Sequence, residues 1–201
     1  MMLEKQILLG TTNPAKVNFV QVALSSLPIK VLTLGDLNLK IEVEEDGLST
    51  EENAEKKARA YFAASHIPTL AIDGGLHIEK FPAERQPEIF VRRIYGAGQD
   101  ATEEELLDYY ARELDKVGGT SIGTWRGAMA LALSNEKVFF DTFTFEAILT
   151  SERKGRVPPG APLNSLMIDP ATGKYYSEMA WEEQPHGQWI FEFVKQHIAE
   201  L

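Results

Sequence analysis

The first third of the chain repeats one alternation, and that repeat is what most restricts the fold. Short apolar runs at KQILLG, IKVLTL and TLAI are separated by segments with helical spacing, giving strand, helix, strand, helix, strand up to Ile72. In the first helical segment Val17, Val20, Leu24 and Leu27 fall on one face, Asn13 or Thr12 is placed to cap it, and Pro14 suits its first turn. In the second, Ser49 with Glu52 three residues on predicts a capping box before TEENAEKKARAYFAASH. Pro68 then introduces the third strand. Beginnings of this kind lead to a sheet covered by helices.

The remainder changes character. Thr102 and Glu105 predict a further capped helix, EEELLDYYARELDKV, stopped by Gly118 and Gly119. WRGAMALAL, the turn SNEK and VFFDTFTFEAIL predict a long hairpin whose second arm places Phe139, Phe143 and Phe145 on one face. ERKGRVPPGAPLNS reads as loop, and a last helix runs from about Trp189 to Ile198. The expected fold class is α/β, a mixed sheet flanked by helices and split by a cleft. No repeat, low-complexity tract or linker interrupts it, so residues 1–201 are expected to form a single domain.

Bulk properties exclude several function classes. With 30 acidic against 20 basic residues the formal charge is -10, and no basic cluster is interleaved with aromatics, so no nucleic acid is expected as partner. The absence of cysteine removes disulfides, thiolate metal sites and thiol nucleophiles. No apolar run is long enough to cross a membrane, and the start MMLEKQILLG is too short for a signal segment, which predicts a soluble, cytoplasmic protein.

Three stretches carry chemistry. GTTNPAK at a strand-to-helix turn offers Thr11, Thr12, Asn13, Lys16 and backbone amides to a phosphate, although polar turns are common because helices need caps. In EDGLSTEENAEKKA, Asn53 and Lys57 share a helix face beside small Ala54 and Ala58, with Glu45 ahead of the helix; a solvated helix with a Glu52 to Lys56 pair is the plain alternative. In TLAIDGGLHIE, Asp73 lies past an apolar run at the mouth of the expected sheet, where ligands of open α/β folds gather, yet Asp-Gly is also common hairpin chemistry. Local grounds alone favour the turn.

Taken together these stretches resemble the inosine triphosphate pyrophosphatase family. Thr11, Asn13 and Lys16 match its opening pattern; Glu45, Gly47, Leu48, Glu52, Asn53, Ala54, Lys57 and Ala58 match the second; Ala71, Ile72, Asp73, Gly74, Gly75 and Leu76 match the third; Pro87 and Arg93 remain of a weaker fourth. The resemblance covers most of the chain. It implies an elongated, twisted mixed sheet flanked by helices, with two lobes around a central nucleotide-binding cleft. It also implies hydrolysis between the α and β phosphates of a nucleoside triphosphate, with magnesium, or manganese in its place, as cofactor and a homodimer as the assembly. By carry-over, Glu45 and Asp73 hold the metal, and Asp73 orients or deprotonates the attacking water. Lys57 assists catalysis and, with Thr11, Thr12, Asn13, Lys16, Gly74, Arg93 and His186, binds substrate.

The chain departs from the family in three places. Ile72 replaces a second acid. GAPLNS, Gly160 to Ser165, stands where the family carries an aromatic base-stacking stretch. EEQPHGQW keeps only His186 of a base-reading triplet, although Gly173, Lys174 and Glu178 upstream match. Losing a stacking ring weakens base binding by about 1–3 kcal/mol, so the purine specificity is expected to differ. Trp181 and Trp189 are candidate replacements, with core packing or a dimer contact as their plainer use. Two competing expectations follow: a nucleotide binder of this fold with weak or no catalysis, and a structural protein whose polar motifs are caps and turns.

Overall fold

A computed structural model describes residues 5–94, 96 and 100–201. Its elements in chain order are β1 (Lys5–Leu9), α1 (Pro14–Leu24), β2 (Ile29–Leu32), α2 (Thr50–Ser65), β3 (Thr69–Ile78), α3 (Glu103–Lys116), β4 (Thr120–Ala132), β5 (Val138–Thr150), β6 (Met167–Ile168) and α4 (Gly187–His197). The strand order is β2-β1-β3-β4-β5-β6. β1 runs parallel to β2 and β3, whereas β6 is antiparallel to β5, so the sheet is mixed as expected. Backbone contacts divide the chain into two compact units. One comprises the segments up to Asp73, Gly127–Phe143 and Pro185–Leu201; the other comprises Gly74–Arg126 and Thr144–Gln184.

In the first unit, Asn13 caps α1 by accepting from the amides of Ala15 and Lys16 at 2.9 and 3.2 Å, and Pro14 occupies the first turn. An all-alanine cluster, Ala54, Ala58, Ala71, Ala128, Ala130 and Ala132, lies between α2 and the strands. Side chains this small let α2 sit close to β3, so a lysine or asparagine on the same face can reach the strand. The segment between β2 and α2 has no regular structure, but Leu34 is buried with Leu8, Leu32 and Tyr61, and Leu39, Ile41 and Val43 pack on that cluster. That anchoring delivers Glu45 to the start of α2. In the hairpin, Phe139 stacks on His197 and Phe143 on Trp189, with centroids 3.8 and 5.5 Å apart. Trp189 is thus used in packing.

In the second unit, α3 carries the expected capping box between Thr102 and Glu105, and Gly118 and Gly119 stop it with φ of 96° and 81°. Its apolar face, Leu106, Leu107, Tyr110 and Leu114, packs with Leu76, Ile78, Leu149 and Tyr176. The one carboxylate on that side, Glu113, accepts from Arg85 and Lys116 at 2.6 Å each; the Lys116 hydrogen bond, ahead of Arg85, holds its pKa below the usual glutamate value.

Two local expectations are corrected. The AIDGGLHI stretch is no turn: β3 runs unbroken through Asp73, Gly74 and Gly75. Gly75 serves a close crossing instead. Leu76 and Glu88 form an antiparallel bridge, and a Cβ on Gly75 would lie 2.9 Å from the Glu88 carbonyl oxygen. At α2, Ser49 accepts from the Glu52 amide at 3.2 Å, but the Glu52 carboxylate returns to the amide of Leu48, at 2.7 Å, rather than to that of Ser49. The box is therefore displaced by one residue.

Candidate active site

β1 ends at Leu9, and its register with β3 ends at Leu70. Beyond that point β3 continues without β1 beside it, and the turn from β1 into α1 lies next to the uncovered stretch. Lys16 of α1 donates from Nζ to the Ile72 carbonyl at 2.9 Å. Asp73 is therefore inside a strand, yet beyond the carboxyl end of its parallel neighbour, the position that open α/β sheets reserve for ligands.

The pleat decides which side chains meet. Ala71 packs in the alanine cluster against α2, so Asp73, two residues on, also faces α2, and the Ile72 side chain points to the opposite face. The missing second acid takes no carboxylate from the Asp73 side. What Ile72 supplies there is its backbone carbonyl, which any residue would supply.

On the α2 face three side chains converge. Lys57, buried on its helix, donates from Nζ to Asp73 Oδ1 at 2.7 Å, lies 3.2 Å from Glu45 Oε2, and reaches the Ile72 carbonyl at 3.4 Å. Asp73 is 5% exposed, so its charge is balanced by that ammonium and not by water. Asn53, one turn before Lys57, donates to the second Asp73 oxygen at 3.4 Å and accepts from the Gly47 amide at 2.9 Å. A Cβ on Gly47 would stand 2.6 Å from that Asn53 oxygen, which ties the glycine to this contact. Glu45 keeps nearly half of its side-chain exposure, so this carboxylate opens to solvent while its partner is closed off. Asp46 and Lys56 form a separate exposed pair.

The α1 turn differs from expectation in one respect. Rather than a row of open amides, Gly10 donates to Leu70, Thr11 to Leu9, Asn13 to the Thr11 hydroxyl, and Ala15 and Lys16 to Asn13. The cap that forms the helix also uses its first amides. Exposed Thr12 and the Lys16 ammonium, which donates to Ile72, are the turn's contributions to an anion.

The remaining expected site residues make contacts of their own. His186 belongs to the first unit, where its ring packs against Phe19 of α1 with centroids 4.1 Å apart and planes tilted by 38°, and burial pushes its pKa down to about 4. It is not the exposed loop histidine that its surroundings in sequence suggest. Below the ordinary value near 6.5 the unfolded chain binds a proton there that the folded chain does not, so stability contributed by neutral His186 is full above that pH and is lost as pH falls toward 4. Replacing His186 with Gln should flatten the acid side of a stability-versus-pH curve between those values in urea titrations. In the second unit, Arg93 lies over Phe90 at 5.4 Å and 3.8 Å from Asp100, and lines a pocket of 270 Å³ with Arg85, Tyr109 and Tyr110. Gly74 follows Asp73 on β3. Leu163, within GAPLNS, is buried in the core of that unit and presents no ring to a base.

Sequence reasoning noticed Asn53 but gave it no role, and it missed the Ile72 carbonyl, for which a side-chain pattern carries no signal. Among the described residues, no group of three or more His, Asp or Glu side chains is arranged around a single point as a metal cage, and no helix is long and apolar enough to cross a membrane.

Comparison with known proteins adds an independent line. The Ham1 family profile matches residues 7–186. A dITP/XTP pyrophosphatase of Leptospira interrogans is 35% identical over 94 residues, covering 47% of each chain, so that alignment spans about half the length of the relative. A dITP/XTP pyrophosphatase of Xanthomonas axonopodis is 27% identical over 180 residues, covering 87% of this chain and 86% of the relative. Among solved structures, a HAM1 protein from Coxiella burnetii superposes with a TM-score of 0.74 at 22% identity, over 98% of this chain and 100% of that one. That likeness bears out the mixed α/β fold.

Proposed function

The chain belongs to the Ham1 family, and from that premise we propose that it hydrolyses the α–β phosphoanhydride of a non-canonical nucleoside triphosphate, releasing a monophosphate and pyrophosphate. The observation that carries this reading is the convergence of Lys57 on Asp73 and Glu45 beside the Lys16-bearing turn. The names of the relatives support dITP and XTP as the substrate class.

Displacement at a phosphate asks for charge neutralisation and a placed water rather than covalent chemistry. Lys16 and Lys57 balance the phosphate charge, and Thr11, Thr12 and Asn13 shape the turn that receives it. Asp73 is a buried carboxylate whose orientation Asn53 fixes, which suits it to hold a water and accept its proton. Glu45 and Asp73 are hard oxygen donors drawn to one ammonium, and such a pair fits Mg2+, which takes few protein carboxylates and keeps several waters. Bound there, Mg2+ or Mn2+ would supply neutralisation of phosphate charge. The reading of the chain as a silent nucleotide binder drew on the altered base-pocket stretches and on Ile72, whose side chain faces away from Asp73.

Arg93 and His186 enter this reading only by family likeness, as does a homodimer built on the β4–β5 hairpin; a cytoplasmic location rests on the sequence expectation alone. Because Leu163 is a core residue and His186 is buried against Phe19, base preference should be broader than a ring-stacking site allows. The test is incubation with magnesium and a panel of inosine, deoxyinosine, xanthosine, deoxyuridine and ordinary triphosphates, with chromatography of the nucleotide products. Monophosphate formed directly from at least one member is the expected result. Diphosphate as first product, or no product from any member, would overturn the proposal.

A further inference from the structure

Lys57 occupies the very position through which Glu45 and Asp73 act together. Its Nζ lies within hydrogen-bonding distance of an oxygen from each carboxylate, 2.7 Å from Asp73 and 3.2 Å from Glu45. A divalent cation shared by the same two carboxylates and this ammonium cannot be neighbours at that range without strong repulsion. Two further contacts bear on where the ammonium can go. Lys57 Nζ is already 3.4 Å from the Ile72 carbonyl, the group to which Lys16 donates at 2.9 Å, so both ammonium groups border one acceptor and an anion placed there would draw both. Asp73 keeps its Asn53 donor on the other oxygen, and Asn53 is pinned by Gly47, so the carboxylate stays aimed when Lys57 departs.

We propose that Lys57 is a resident counter-ion that exchanges partners: in the nucleotide-free protein it holds Glu45 and Asp73 and competes with a divalent cation, and it passes to the phosphates when nucleotide arrives. The proposal rests on the assignment of Glu45 and Asp73 as metal ligands. It makes Lys57 the element that couples the two binding events, since a phosphate offers the displaced ammonium a new anion. Divalent-cation binding is then weak in the free protein and strong only with substrate, which protects a buried acid from idle metal.

The experiment is Mn2+ binding without nucleotide, followed by the electron paramagnetic resonance signal of free Mn2+, in the wild type, Lys57→Met, Lys57→Gln and Glu45→Gln. Removing the ammonium should tighten Mn2+ binding by about tenfold or more even at a moderate effective dielectric, and Glu45→Gln added to Lys57→Gln should cancel the gain. Lys57→Gln retains an amide donor for Asp73 and serves if the methionine variant does not fold. Equal affinity in the wild type and both Lys57 variants, with Glu45→Gln weakening all of them, would overturn the exchange and leave the metal site standing. Binding that none of the substitutions alters would overturn the metal assignment and the exchange together.

Discussion

Asp73→Asn is expected to reduce pyrophosphate release by about 10²–10⁴-fold, the range associated with loss of a general base, with the fold retained. The side chain lies in mid-strand on the α2 face, with one oxygen 2.7 Å from Lys57 and the other held by Asn53. Asparagine fills the same volume but cannot accept a proton from water at neutral pH, and its amide turned toward Lys57 would set donor against donor. Lys57 keeps Glu45 at 3.2 Å, so the ammonium is not stranded and the thermal transition should move little. Steady-state turnover with circular dichroism on the same sample makes the check. Turnover within a few-fold of wild type in a folded Asp73→Asn protein would remove Asp73 from the chemistry.

The second large effect falls on stability. Lys57→Met leaves the Asp73 carboxylate buried with no cation, and breaking a buried pair by removing one partner costs about 3–5 kcal/mol. For a chain of this size that corresponds to a fall in Tm of roughly 6–20 °C. Lys57→Gln should lose less, because its amide can still donate to Asp73. Lys56 offers an internal contrast one position earlier: its pair with Asp46 is exposed on both sides, and Lys56→Met should shift Tm far less. Differential scanning calorimetry separates these cases. Equal shifts for the two lysines would mean that burial of the Asp73–Lys57 pair is not what sets its strength.

How much of this was legible in the sequence depended on the kind of signal. The caps at Asn13 and Thr102, the glycine stop of α3 and the phenylalanine face of β5 are local, so the residues that form them also announce them. Asn53 and Lys57 share a face by helical spacing, and Ala54 and Ala58 marked a close approach. Asp73 was misjudged locally, since Asp-Gly-Gly has the composition of a turn; the crossing of the Glu88 backbone, which Gly75 makes room for, is invisible in the sequence. The significance of Ile72 was equally hidden, because it depends on which way the pleat faces α2. His186 was expected at the substrate from its place in the family pattern, whereas its packing against Phe19 arises from residues far apart in sequence. Pairings made across long stretches of chain leave no mark on either stretch alone.

Cleavage between the α and β phosphates is read most directly from the ratio of pyrophosphate to orthophosphate released from deoxyinosine triphosphate by the purified protein with Mg2+. One pyrophosphate for each monophosphate formed, with negligible orthophosphate at early times, is the expected result. Orthophosphate as the first product, with diphosphate accumulating, would contradict it.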